Sequence, residues 1–432
     1  MYFVQKNELN YEINLTGFTA TVVYSEKASN DVFIPFSITY LHYVYVITCI
    51  GKESFKNNNN IRNISFPENS MVKKIEDNAF ESSSIESINI PITVTEFGNN
   101  VFNLCDKLKS IQIPQNSPIF SFGENAFLNT LIDKFEVPSK VKILHSSTFC
   151  ICDELKSITF GPDSQLEKID ERAISVCPIE TLAIPQKVKE INDGAFFGLP
   201  KLTNISIAPE NKNFSLYDQK IMVGKTDSKS DIFDIFMISS RDIEKVVIPS
   251  YVKRISSSCF ADCCSLKSIE FEDDSELKSI GRHAFVNCSI QRFIMPSSVT
   301  KLEGPIFSSC KQLKTIEFQP NSKLDRIANS VFNSSSIEGI TVPPSVDYVC
   351  YQSFGQCEEL VSIEFLGDHL YLEYHCVTGS KKLSVISFPF ANRVYIHTNE
   401  CNENMRIFIQ PNKSMEAYFK PQHYEKDDEN DD

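Results

Sequence analysis

Seven of the fourteen cysteines stand at one recurring place, three residues after an apolar anchor: Cys105, Cys152, Cys177, Cys263, Cys288, Cys310 and Cys357. Thiolates at regular intervals could ligate a soft metal or relay oxidising equivalents. Zinc chemistry needs its ligands clustered, as in paired C-x-x-C motifs with histidines behind them. The histidines, at 42, 145, 283, 369, 375, 397 and 423, keep no such spacing. The ladder cysteines are therefore expected to be reduced and buried, as small side chains filling a tight turn. On this reading a hydroxyl in place of the Cys310 thiol lacks a partner and costs about 1–2 kcal/mol. Other reactive patterns are missing as well. The glycines are scattered singly, so no loop cradles a phosphate, and no G-x-S-x-G, H-E-x-x-H or kinase signature occurs. The expectation is a chain with no catalytic residue, no metal and no cofactor.

The anchors that position these cysteines form a double period. They fall at Phe55, Phe80, Phe102, Phe127, Phe149, Ile174 and Phe196, then at Phe260, Phe285, Phe307, Phe332 and Phe354, with Cys376 last. Steps of 25 and 22 residues alternate, so long and short units pair into a 47-residue super-repeat. Each unit carries apolar residues at i, i+3 and i+5, as in Leu155, Ile158 and Phe160, and the last two alternate as in a strand. Proline often closes the segment, as at Pro114, Pro185 and Pro343, because it has no donor for a ladder. A second apolar pair follows, such as Val188 and Ile191, and then a short helical turn into the next anchor. One such coil cannot bury its own apolar face, whereas stacked coils share a core.

The period predicts which side chains face solvent. Residues flanking the central apolar strand position point outward, on what is expected to be a concave face. In the first half they are mostly small and uncharged, as in Ser87 with Asn89 and Ser157 with Thr159, with Lys134 and Glu136 the charged pair. In the second half Glu270, Glu317 and Glu364 recur on every second rung, with Arg292 and Ile294 on a rung between. At a rung spacing of ~4.8 Å the carboxylates would repeat about every 10 Å. These five residues are the candidate binding positions, the glutamates steering a basic partner and Ile294 adding apolar grip. A solvated sheet face needing some charge would look the same.

Net charge of −14 argues against nucleic acid, which calls for a basic footprint, so the expected partner is a protein. The first ten residues lack the basic start and apolar stretch of a secretory signal. The most apolar run, residues 41–50, is far short of the ~20 that span a bilayer. A cytoplasmic address without a membrane span is the resulting expectation. Asn14, Asn204 and Asn213 open N-x-S/T triplets, which matter only in an exported chain.

The unit A-F-x-x-C-x-x-L-x-x-I-x-I-P-x-x-V-x-x-I resembles the BspA-like leucine-rich repeats of oral and gut bacteria and of trichomonad and amoebic protists. Long units of the Asn321, Ser322, Leu324, Ile327 type alternate with short ones of the Ser83, Ser84, Ile85, Ile88, Ile90, Pro91 type, much as in the trichomonad members. The resemblance implies a β-rich repeat solenoid with parallel strand ladders and short helical turns. It also implies surface antigens or adhesins that contact host cells or matrix. The expected organisation is an N-terminal cap and first rung at 1–54, the solenoid at 55–390, a C-terminal cap at 391–420 and a disordered acidic tail at 421–432. The 64-residue step from Phe196 to Phe260 holds 17 residues beyond one super-repeat, read as a β-hairpin at about 208–242.

Overall fold

The computed structural model describes residues 2–396 and, as backbone strands, Arg406–Ile409 and Glu416–Tyr418. Its contacts divide the chain into two units. The first comprises Met1–Ile243 with Ser256–Asp262; the second comprises Glu244–Ile255 and the chain from Cys263 on. Each is a β-solenoid of parallel rungs.

In the first unit, Asn30–Phe33, Ile61–Ser65, Ser87–Asn89 and Ser110–Gln112 form one ladder, and Lys134–Val137, Ser157–Phe160, Thr181–Ile184 and Asn204–Ile207 form the next. Pairing is in register: Ile64 lies opposite Ile88, which lies opposite Ile111, and Leu182 lies opposite Ile205. Each coil adds a second, two-residue rung, such as Lys74–Ile75 beside Glu96–Phe97. The second unit repeats the scheme, with Arg292–Met295, Thr315–Phe318, Gly339–Val342, Ser362–Phe365, Val385–Phe388 and Arg406–Ile409 in one six-stranded ladder. In-register stacking means that identical apolar positions meet, so every coil completes its neighbour's core.

The anchor phenylalanines do this most clearly. Phe55, Phe80, Phe102, Phe127 and Phe149 have no exposed surface. Their rings stack nearly parallel, with centroids 5.2, 5.2, 5.8 and 5.2 Å apart. Phe285, Phe307, Phe332 and Phe354 repeat the stack at 5.4, 5.7 and 5.4 Å. These spacings are those of favourable offset aromatic pairs.

The turns ahead of the anchors are not helical, and the described residues contain no helix. Their backbone donors are divided between two directions. Ala79 and Glu81 donate three residues back, to Glu76 and Asn78, while Phe80 and Ser82 donate to Val101 and Asn103 of the next coil. Asn78 and Ser82 take φ of 58° and 56°, and Asn100 and Leu104 repeat this at 56° and 59°. With left-handed residues four apart, the amides of Asn78, Phe80 and Ser82 all reach the next coil, which an i to i−4 helix cannot do. The sequence expectation of helical turns is corrected accordingly.

The extra residues after Phe196 fold as three antiparallel strands rather than two: Ser215–Tyr217, Ile221–Gly224 and Ile235–Ser239. Asp218 and Gln219 both have positive φ, 50° and 56°, as the central pair of a type I′ turn does, within the three residues that separate Tyr217 from Ile221. Met222, Phe236 and Ile238 are buried in the first unit, which accounts for the apolar run; Ile232 alone of that run is strongly exposed. At the N-terminus Asn30–Phe33 is the first rung, with Val32 opposite Ile64. Toward the C-terminus Arg406–Ile409 pairs with Val385–Phe388, and Glu416–Tyr418 pairs with Arg393–Ile396, so the ladders carry on into residues expected to form a cap. The rest of that cap, from residue 397 on, and the acidic tail at 421–432 lie outside the described residues.

Candidate interaction surface

Strand alternation puts the five candidate residues on the outward side of the second unit while Phe293, Ile316, Ile340 and Ile363 point inward and are buried. Within the six-stranded ladder Ile294 lies opposite Glu317, and Thr341 lies opposite Glu364. Glu270 is placed differently. Its strand, Ser268–Phe271, pairs with Lys245–Ile248 in a separate two-stranded ladder, where Val247 is its register partner.

The three glutamates are not equivalent. Arg292 grips Glu317 with both arms of its guanidinium, Nε donating to Oε1 at 2.7 Å and Nη2 to Oε2 at 2.5 Å. That fork holds the Glu317 carboxyl below its usual range and raises Arg292. A two-pronged guanidinium–carboxylate pair has the strongest geometry available to surface charges. Thr341 donates to Glu364 at 3.4 Å, and Glu270 has no ion-pair partner among the described residues. The stripe anticipated from the sequence is therefore one neutralised carboxylate between two available ones.

Glu317 and Glu364 also border a hollow of about 810 Å³, which Glu270, Arg292 and Ile294 do not line. Its walls are hydroxyl-rich, with Thr315, Thr341, Ser362 and Ser387 from the strands and the turns at Gln319–Ser322 and Pro343–Ser345 closing one side. Sequence reasoning missed this hollow. Its signal was the turn chemistry just after the strand, Gln319-Pro320-Asn321 and Pro343-Pro344, where the ladder ends.

The ladder cysteines are buried as expected, and they make a contact that the sequence did not show. Cys105, Cys152, Cys177, Cys310 and Cys357 are buried free thiols. Each donates to the carbonyl of an anchor one coil earlier: Cys105 to Phe80 at 3.0 Å, Cys152 to Phe127 at 3.2 Å, Cys177 to Phe149 at 3.3 Å, Cys310 to Phe285 at 2.9 Å and Cys357 to Phe332 at 3.0 Å. Burial pushes the Cys105 and Cys310 thiols up to about 12, which disfavours the reactive thiolate. A hydroxyl at Cys310 would not lack a partner, contrary to the expectation above, because the Phe285 carbonyl is there to accept. Among the described residues no three His, Cys, Asp or Glu side chains come together as a metal site, and no helix is long and apolar enough to cross a membrane.

The model of the BspA-type leucine-rich repeat region, six copies long, matches residues 26–153, 120–218, 233–360 and 325–414. Among solved structures, a leucine-rich cell surface protein from Faecalibacterium prausnitzii is 20% identical with a TM-score of 0.70, over 89% of this chain and 94% of that one. The pneumococcal vaccine antigen PcpA is 18% identical with a TM-score of 0.60, over 96% and 98%. A leucine-rich repeat protein from Bacteroides ovatus is 21% identical with a TM-score of 0.55, over 95% and 100%. At these identities the likeness is one of fold. No curated protein matches the chain.

Proposed function

The chain belongs to the BspA-type leucine-rich repeat family, and from that premise we propose that it is a non-catalytic protein-binding protein whose partner docks on the outward strand face of the second unit. The observation that carries this is the arrangement around Ile294. It stands opposite Glu317 in register, while Arg292 on its own strand holds that carboxylate in a fixed fork. A half-exposed apolar residue beside a preorganised charge pair gives grip without leaving a lone charge to desolvate. Glu270 and Glu364 supply attraction for a basic patch, an effect on encounter and specificity that salt weakens. The nearby hollow accepts one protruding side chain or turn of the partner.

Carboxyl footprinting tests this reading. With a purified partner bound, carbodiimide labelling of Glu270 and Glu364 should fall severalfold while that of Glu12 in the first unit stays constant. Equal labelling of all three with the partner bound would refute the assignment.

A second reading is favoured by the descriptions of two structural neighbours, a cell surface protein and a vaccine antigen. On it the chain is displayed as an antigen or adhesin that contacts host cells or matrix. Labelling of intact cells with an impermeant amine reagent separates the two addresses: labelled protein supports display, and labelling only after lysis rejects it.

A further inference from the structure

The N-terminal sheet of the first unit is polarised along its strands. Tyr2–Lys6, Leu9–Asn14 and Thr19–Val23 run in sequence, Thr19–Val23 pairs with Tyr43–Ile50, and Ser37–Tyr40 pairs with the start of that strand. Tyr2 lies opposite Ile13, Asn14 opposite Thr19, Thr19 opposite Val46, and Tyr40 opposite Tyr43. Tyr2 and the turns around residues 15–18 and 41–42 therefore share one end of the sheet. That end carries Tyr2, Leu15, Phe18, Leu41, Tyr43 and Val44, which are 52, 42, 49, 64, 58 and 54% exposed. The opposite end carries the charges: Lys6 with Glu8, Glu26 with Lys27, and Lys52 with Glu53.

One further observation sets the apolar end apart. Residues 13–25 and 32–51 contain no Asp, Glu, Lys or Arg, although 23% of the chain is charged. Leu15, Phe18, Leu41, Tyr43 and Val44 thus stand exposed with no Asp, Glu, Lys or Arg beside them in sequence.

We propose that this end rests, turns first, in the headgroup–acyl boundary of an electrically neutral lipid surface. Aliphatic side chains on projecting turns reach the acyl region, while the Tyr2 and Tyr43 phenols suit the headgroup level, where one edge is wet and the other apolar. The turns carry no Lys or Arg, with His42 their one titratable side chain, which favours zwitterionic over anionic lipid, since attraction to anionic leaflets runs through Lys and Arg. A protein interface of this size would be expected to carry a partly charged rim, and the turn segments offer only Thr16 and His42 as polar side chains. This inference is independent of the strand face in the second unit.

The chain contains no Trp, so a Tyr43→Trp variant carries a single indole as reporter. With phosphatidylcholine vesicles its emission should shift to the blue and be quenched by brominated acyl chains. A Tyr374→Trp variant, at a site 54% exposed in the second unit, should not shift. Adding Phe18→Asn and Leu41→Asn, both suited to a left-handed turn, should lower vesicle partitioning about tenfold in a variant that still melts cooperatively, although Phe18 gives up its ring contacts with Tyr43 and Tyr45. Flotation of the unsubstituted chain with the same vesicles gives a readout free of any substitution. The proposal is overturned if the folded chain neither floats nor shifts, or if the double substitution leaves partitioning unchanged. It is equally overturned if the Tyr43→Trp emission responds to protein concentration instead of vesicles, which would make the tip a contact between copies.

Discussion

The Cys310 thiol donates to the carbonyl oxygen of Phe285, 2.9 Å away and one coil earlier. The same contact recurs wherever Cys105, Cys152, Cys177 and Cys357 follow their anchors. Replacing Cys310 with Ser should preserve the contact and cost less than about 1 kcal/mol, because the hydroxyl inherits the acceptor. Replacing it with Ala removes the donor and opens a small void, for a loss of about 1–2 kcal/mol. Denaturant melts order the two: Ala should be the less stable, and a Ser variant as unstable as Ala would show that the carbonyl contact contributes nothing.

Phe307 sits in the middle of an anchor stack, between Phe285 at 5.4 Å and Phe332 at 5.7 Å, with no exposed surface. Phe307→Ala should cost about 3–5 kcal/mol, the usual range for deleting a fully buried ring. Leu should cost much less, since Ile174 occupies an equivalent anchor in the native chain. A Phe307→Ala melt within about 1 kcal/mol of the parent would mean that the stack does not carry the core.

Most of this architecture was legible before any coordinates because stacking in register turns a spatial relation into a sequence period. The 25/22 alternation located the anchors, and i, i+3, i+5 spacing located the inward strand residues, Ile316 and Phe318 among them. What stayed hidden was the direction of individual hydrogen bonds. Whether Phe80 donates within its own coil or to Val101 of the next decides turn against helix, and both choices read alike in composition. At the candidate surface the five side chains alternate with the buried strand residues, as period-2 spacing dictates. The Arg292–Glu317 fork and the hollow beside Glu364 were not foreseen, because they depend on rotamers and on where the turns at Pro320 and Pro343 send the chain.

Asp218 and Gln219 spend two non-glycine residues on left-handed turn positions. A Gln219→Gly variant should gain roughly 0.5–1 kcal/mol, since glycine reaches that φ without steric cost. Thermal melting checks this, and a destabilised variant would mean that the Gln219 side chain makes a contact worth more than the strain.

The Arg292 fork lowers the Glu317 pKa, with Arg292 hydrogen bonding as the main cause. A depressed carboxyl contributes stability above its unfolded pKa, and that contribution fades as pH falls through the folded value. Carboxyl-carbon NMR should show Glu317 titrating below an ordinary glutamate, and Arg292→Ala should return it to the ordinary range. Identical titration in both proteins would dissolve the fork in solution.

The central claim is that a protein partner is held on the outward strand face of the second unit, and charge reversal at its two available carboxylates tests it most directly. Glu270→Lys with Glu364→Lys leaves the Arg292–Glu317 fork intact, and substitutions at such positions should barely alter folding. Calorimetric affinity for the purified partner at low salt should fall at least about tenfold, and the difference should shrink as salt rises. A folded double variant that binds with the affinity of the parent at low salt would contradict the assignment.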